Sequence, residues 1–163
     1  MVDELPGQDV VDDTPPWRAA YDKSTSIFLC NTNRDGGAGG NSLERRMHAR
    51  NFAAAWITYN YEHHMRRVRG GDLIVMYANG LGVIGVGRAI ESRLEILGPD
   101  HPDRLRAFDN EGGNEEEWRV PVEWLAWDED RPCPVGPLRP TFSEITHHAA
   151  RVQMIRDHYR DSL

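Results

Sequence analysis

The sequence predicts an α+β fold, a small mixed β-barrel of about five or six strands flanked by about three helices. Three observations carry this. Residues 72–78 (DLIVMYA) are apolar at both alternating positions, as in a strand covered on both faces. Asn79-Gly80 follows at once, and this dipeptide suits a two-residue hairpin whose central positions need positive φ. Residues 117–127 (EWRVPVEWLAW) alternate, with Trp118, Val120, Val122, Trp124 and Ala126 on one face and Arg119 and Glu123 on the other.

The elements follow in chain order. Residues 26–31 (SIFLCN) form a short apolar run suited to a buried first strand, and the glycine-rich 32–40 is a loop. Asn41 with Glu44 three residues on reads as a capping box, with Leu43, Met47 and Ala54 marking one face of a helix that runs to about residue 54. Trp56 leaves the end of that helix. Residues 61–69 (YEHHMRRVR) make one or two basic turns closed by Gly70-Gly71.

The return strand of the hairpin, 81–91, carries Gly85 and Gly87 two apart, so one of its faces admits a bulky neighbour. Residues 92–97 extend the sheet, and DRLRAF (103–108) has the make-up of a short helix. Pro121 lacks an amide hydrogen, which places strand 117–127 at an edge or at a bulge. A proline-rich connection, 128–140, leads to a C-terminal helix capped by Thr141 or Thr146, in which Ile145, Ala149, Val152, Ile155 and Tyr159 keep a helical stripe.

The 163 residues suffice for one domain with a core. Residues 1–24 read as an acidic, Pro-containing disordered tail and 25–163 as a single domain. No apolar run spans a membrane and no signal peptide is seen, so a cytoplasmic location without membrane contact is expected. Cys30 and Cys133 are too few for a disulfide framework or a thiolate metal site. The net charge of −7 opposes non-specific nucleic-acid binding. More than half of it sits in the tail, however, and between Glu44 and Arg88 seven arginines face only three acids.

From a first strand ending in an Asn-containing loop through a helix, an exposed Trp, a short helix, a Gly-Asp-hydrophobic strand, a glycine-rich return strand and a late V-x-W strand, residues 27–127 resemble the EVE and YTH domains of the PUA-like group. The resemblance implies a PUA-like barrel that turns a methylated base out of nucleic acid into an aromatic cage. By position it makes Trp56 one wall and Trp118 the second, Asn33 the reader of the base edge with Thr32 beside it, and Ile57 the backbone carbonyl that accepts the exocyclic N–H. The glycine loop 36–40 and the acidic net charge depart from that pattern, which leaves RNA, DNA and a smaller ligand open.

Such chemistry needs no metal, cofactor or catalytic acid. Stacking a base on an aromatic side chain contributes about 1–3 kcal/mol, and burying an added methyl about 0.8 kcal/mol. Arg45, Arg46 and Arg67 flank Trp56 from both helical segments and are the expected phosphate contacts, although exposed arginines commonly just face water. Trp124 lies about 20 Å along the strand from Trp118 and is read as core. Trp127, on the opposite face, is read as packed under the proline-rich segment.

The expected function is therefore a non-catalytic reader of a modified, methylated base in RNA or DNA, with a separate effector protein as a further partner. The alternative is a small nucleotide-processing enzyme or hydrolase using His48, His63 or His64. No H-E-x-x-H, zinc spacing or nucleophile elbow supports that alternative.

Overall fold

A computed structural model of the chain describes residues 25–32, 43–56, 61–91, 94–105 and 116–163. Within them lie seven strands: β1 (Ile27–Asn31), β2 (Phe52–Trp56), β3 (Leu73–Ala78), β4 (Gly82–Ala89), β5 (Glu95–Leu97), β6 (Glu117–Trp127) and β7 (Phe142–Glu144). The same residues contain three helices, α1 (Leu43–Ala49), α2 (Glu62–Met65) and α3 (Ala149–His158). Six strands run in the order β2-β6-β4-β3-β1-β7 and curl into a nearly closed barrel, with β5 paired to β6 off this path. The β1–β3 pair is parallel and the other pairs are antiparallel, so the barrel is mixed. No described helix is long and apolar enough to cross a membrane. The tail, 1–24, lies outside the described residues.

The strand 72–78 is covered on both faces as expected, because β3 sits between β1 and β4. One face joins Ile74, Met76, Phe28, Cys30 and Ile84 to α1 and β2. The other joins Leu73, Val75, Val83 and Val86 to Val152 and Ile155 of α3, to its C-cap Tyr159, and to Cys133 and Val135 of the proline-rich segment. The hairpin forms at Asn79-Gly80, but Ala78 pairs with Gly82, so the loop has three residues, and of the two predicted central positions only Gly80 has positive φ.

The first helix is shorter than predicted. It ends at Ala49 because Asn51 adopts φ 56°, the left-handed conformation that terminates helices, and the chain turns back as β2. Phe52 to Trp56 are all buried in a ladder with β6. Trp56 therefore ends a strand and not a helix.

At the C-terminal side, the segment predicted to cap the last helix forms β7 instead, which pairs with β1. Thr146 Oγ1 accepts the Ile27 N–H at 2.9 Å, and the Thr141 carbonyl accepts the Asn31 N–H at 2.7 Å. Both threonines thus anchor β1, while His148 stands at the N-cap of α3 without a side-chain cap bond. Ile145 is core but precedes the helix. Residues 103–105, the described part of the predicted short helix, are not helical.

Strand β6 is an inner strand, contrary to the edge position inferred from Pro121. The Pro121 carbonyl accepts the Ile90 N–H at 3.0 Å, so its missing donor would face the same side. That side is where β4 has ended at Ala89 and β5 has not begun, so no acceptor is left stranded.

A bulge lies further along. Val86 pairs with Ala126 and Gly87 with Trp124, which leaves Leu125 without a cross-strand partner. The extra residue moves Trp127 onto the Trp124 side and turns Ala126 toward the α3 side. Trp127 is accordingly not on the face predicted for it. The bulky neighbours that the two glycines admit are these indoles. A Cβ on Gly85 would meet Trp127 Cε3 at 2.5 Å, and one on Gly87 would meet Val122 Cγ1 at 2.5 Å and Trp124 Cε3 at 2.9 Å.

Gly87→Ala is expected to lower the unfolding free energy by about 1–3 kcal/mol through overpacking. Gly98→Ala, with nothing within 4 Å of its added Cβ, is expected to leave stability nearly unchanged. Urea midpoints of the two variants check this.

Candidate nucleic-acid interface

In an antiparallel ladder, directly opposite residues share a face and successive residues alternate. Trp56 is opposite Glu117, and Trp118 is opposite Ala55. The two predicted cage walls therefore point to opposite faces of the β2–β6 ladder and do not enclose one base between them. Both are buried, Trp56 at 6% and Trp118 at 2% exposure. The two-walled cage pairing these indoles is corrected by this register, because Trp56 ends a strand paired to β6 and does not follow a helix.

On the Trp56 face, β6 supplies a buried ion pair. Arg119 (4% exposed) meets the Glu117 carboxylate (0% exposed) at 2.6 Å, and its guanidinium lies 4.2 Å from the Phe52 ring centroid. The other Glu117 oxygen, Oε2, accepts the Leu105 N–H at 2.9 Å. Arg119 also reaches Glu95 Oε2 at 3.5 Å and the Asp103 carbonyl. The stretch before the 106–115 segment is thus tied to the ladder through one charge pair.

On the Trp118 face, the indole Nε1–H donates to Glu116 Oε2 at 3.0 Å, and the Arg66 guanidinium sits 4.6 Å above the ring.

Thr32 Oγ1 donates to Glu44 Oε2 at 2.9 Å, and that carboxylate is buried at the start of α1. The turn at 50–51 folds β2 back along α1, so the end of β2 returns toward this pair. Asn33 and Ile57 lie outside the described residues. The nearby Asn31 is a structural tie: its Nδ2 donates to Asn79 Oδ1 at 3.2 Å and to the Leu138 carbonyl at 3.0 Å.

Each of the three predicted phosphate contacts already has an acceptor on the protein. Arg45 forks onto Glu129 with bonds of 2.9 and 2.8 Å, Arg46 donates to the Leu105 carbonyl, and Arg67 pairs with Glu144 at 2.8 Å. Arg45 and Arg67 remain largely exposed, so these pairs contribute little to stability. They nonetheless occupy the guanidinium edges that a phosphate would use.

Sequence reasoning missed an aromatic cluster. His48 on α1 stacks on Trp127 with centroids 4.2 Å apart, and Trp127 meets Trp124 edge-on at 5.3 Å. Trp127 Nε1 donates to Glu129, the partner of Arg45. The signal was in the sequence, as two glycines facing two tryptophans, but only the Leu125 bulge puts both indoles on one side. With His48 above and Gly85 below, Trp127 is packed and is not an open stacking platform.

The histidines do not converge. The His63 and His64 rings lie 3.9 Å apart on α2 with their planes tilted by 39°, and His64 Nδ1 accepts the Glu144 N–H at 3.4 Å. His48 is held against the other end of β6. A cavity of about 480 Å³ opens beside the ends of β6 and α3, lined by Asp128, Arg131, His158, Tyr159 and Asp161 among others, and none of the predicted site residues lines it.

Burial shapes the titration of several groups. It pushes the Cys30 thiol up to about 12, so Cys30 stays protonated and inert. Burial also holds His48 below the ordinary histidine value. The same cause lowers His64, helped by its neighbours His63 and Arg67.

Compared with known proteins, the chain matches no family model, no curated protein and no solved structure.

Removing one partner of the buried pair by Glu117→Gln leaves Arg119 uncompensated. The variant is expected to lose about 3–5 kcal/mol of stability in denaturant titration. A pH dependence follows from His48 and His64. Their folded pKa values lie below the unfolded value of about 6.5, so the unfolded chain takes up protons first. Stability is full above that value and falls as pH drops through it toward the lower folded values. The slope of the thermal midpoint between about pH 7.5 and 5.5 should be shallower in His48→Gln.

Proposed function

We propose that this chain is a non-catalytic reader, a small barrel of the EVE/YTH type that binds a modified base in single-stranded or flipped-out nucleic acid. One observation carries the reading: Trp56 is the last residue of β2, where the chain leaves the barrel, and the basic turn at 66–69 follows one short helix later. The mixed barrel with a Trp at that strand end is compatible with the architecture the sequence resemblance implies.

The cage takes a different form from the one implied by sequence position. Trp56 alone supplies the stacking face, and the Thr32–Glu44 pair stands toward the same end as a buried acceptor. A carboxylate accepts from an exocyclic amine, which allows one base edge to be told from another. A base reaches Trp56 only when its indole, now 6% exposed, is uncovered. The separation of His48 from His63 and His64 favours binding over the hydrolase reading, because no two of these elements present their imidazoles to one cleft.

Titrating the protein with free methylated and unmethylated nucleosides while following Trp fluorescence tests the reading. A saturable change with at least one methylated nucleoside is expected, weaker with its unmethylated counterpart. Trp56→Ala would remove a buried side chain at a cost of about 3–5 kcal/mol, so Trp56→Leu is the better probe. It keeps much of the apolar volume while losing the stack, and about a tenfold or greater loss of affinity is expected from stacking worth about 1–3 kcal/mol. No response from any nucleoside, or equal binding by Trp56→Leu, would reject the reading.

A further inference from the structure

The sequence assigns phosphate contact to Arg45, Arg46 and Arg67, and in the structure each of these is engaged by the protein itself. Two other arginines of the same stretch are not. Arg66 and Arg69 are both exposed, and among the described residues neither guanidinium has a hydrogen-bonded or ion-paired acceptor. Their backbone is nonetheless fixed. The Arg66 N–H donates to the Glu62 carbonyl at 2.8 Å, the Arg69 N–H donates to Asp72 Oδ2 at 2.8 Å, and Met65 and Val68 are buried beneath them.

Arg66 has a further restraint. Its guanidinium carbon lies 4.6 Å from the centroid of the Trp118 ring, a cation–π contact. Glu116, just before β6, accepts the Trp118 indole N–H through Oε2. A guanidinium held by a ring rather than by a carboxylate still has N–H groups to donate, and its fork of donors matches the paired oxygens of a phosphodiester. Little side-chain entropy is left to lose on binding, because the stack has already restricted the arm.

We propose that Arg66, seated on Trp118, together with Arg69, forms the phosphodiester contact for a single strand of nucleic acid. This assignment rests on the nucleic-acid reading above and names the groups that follow the backbone. Charge complementarity supports it, since the turn 66–69 places three arginines in four residues, and of the neighbouring carboxylates Glu144 pairs with Arg67 while Asp72 accepts the Arg69 backbone N–H.

The test uses the full chain and fluorescently labelled oligothymidine and oligouridine of about 12 nucleotides, with anisotropy read between about 25 and 200 mM salt. Each arginine that neutralises a phosphate contributes about −0.7 to the slope of log affinity against log salt for a single strand. Arg66→Gln and Arg69→Gln are each expected to weaken binding several-fold and to flatten the slope by about that amount. Arg66→Lys keeps the charge but loses the planar fork, and should recover only part of the affinity. Arg45→Gln, already paired to Glu129, should leave the slope unchanged. Thermal midpoints within error of the parent are expected for Arg66→Gln and Arg69→Gln, showing that folding is not the cause.

Binding by the parent with an unaltered slope in the Arg66→Gln, Arg69→Gln double variant would overturn this assignment while leaving the nucleic-acid reading standing. Absence of binding to either oligonucleotide at the lowest salt, together with no nucleoside response, would overturn both.

Discussion

Strand β6 has to serve two sets of neighbours along one continuous run, and the rest of the barrel is arranged around how it does so. Its first residues pair with β2 on one side and β5 on the other, and its last residues pair with β4. Two local irregularities make this workable. Pro121 faces the gap between β4 and β5, where a missing amide hydrogen costs nothing, and the unpaired Leu125 re-aims the end of the strand. The second irregularity decides which side chains line which core. It sends Trp124 and Trp127 together over Gly85 and Gly87, and hands Ala126 to the layer under α3.

The same strand carries a buried charge pair. Two opposite charges buried at Glu117 and Arg119 would each be strongly unfavourable alone. Together they are satisfied by one another, by the Leu105 amide, by the Asp103 carbonyl and by the ring of Phe52 beneath the guanidinium. The energetic worth of such a pair relative to apolar residues is small. Its consequence is positional: it holds the segment 103–105 against the outer side of the ladder, and so sets what surrounds Trp56.

Function, on the reading developed above, follows from what these constraints leave available. The three arginines expected to meet phosphate, Arg45, Arg46 and Arg67, instead hold α1 and the turn after α2 to their neighbours, through Glu129, Leu105 and Glu144. Those remaining for a ligand are the ones whose backbone is rigid and whose guanidinium is stacked or exposed. Rigidity of the donors matters because binding weakens by the entropy of whatever must be ordered. The indole of Trp56 is the opposite case, well buried and reached only by a local opening at the strand end, so affinity at that position is reduced by the cost of uncovering it.

The amino-acid sequence by itself determined the parts whose cause is local. The doubly apolar run of β3, the Asn79-Gly80 turn, the full extent of β6 and the stripe of Val152, Ile155 and Tyr159 on the last helix all follow from periodicity and turn chemistry. A small mixed α+β barrel was legible from them. What escaped depended on pairing between distant segments. The alanine-rich 53–55 favours helix by propensity, and only the ladder to β6, enabled by the left-handed Asn51, makes it β2. The short β7 exists because β1 offered it an edge. The register of β2 against β6 separated Trp56 from Trp118, and one unpaired residue brought Trp127 beside Trp124, because the side-chain period of a strand is two and a one-residue shift exchanges the faces.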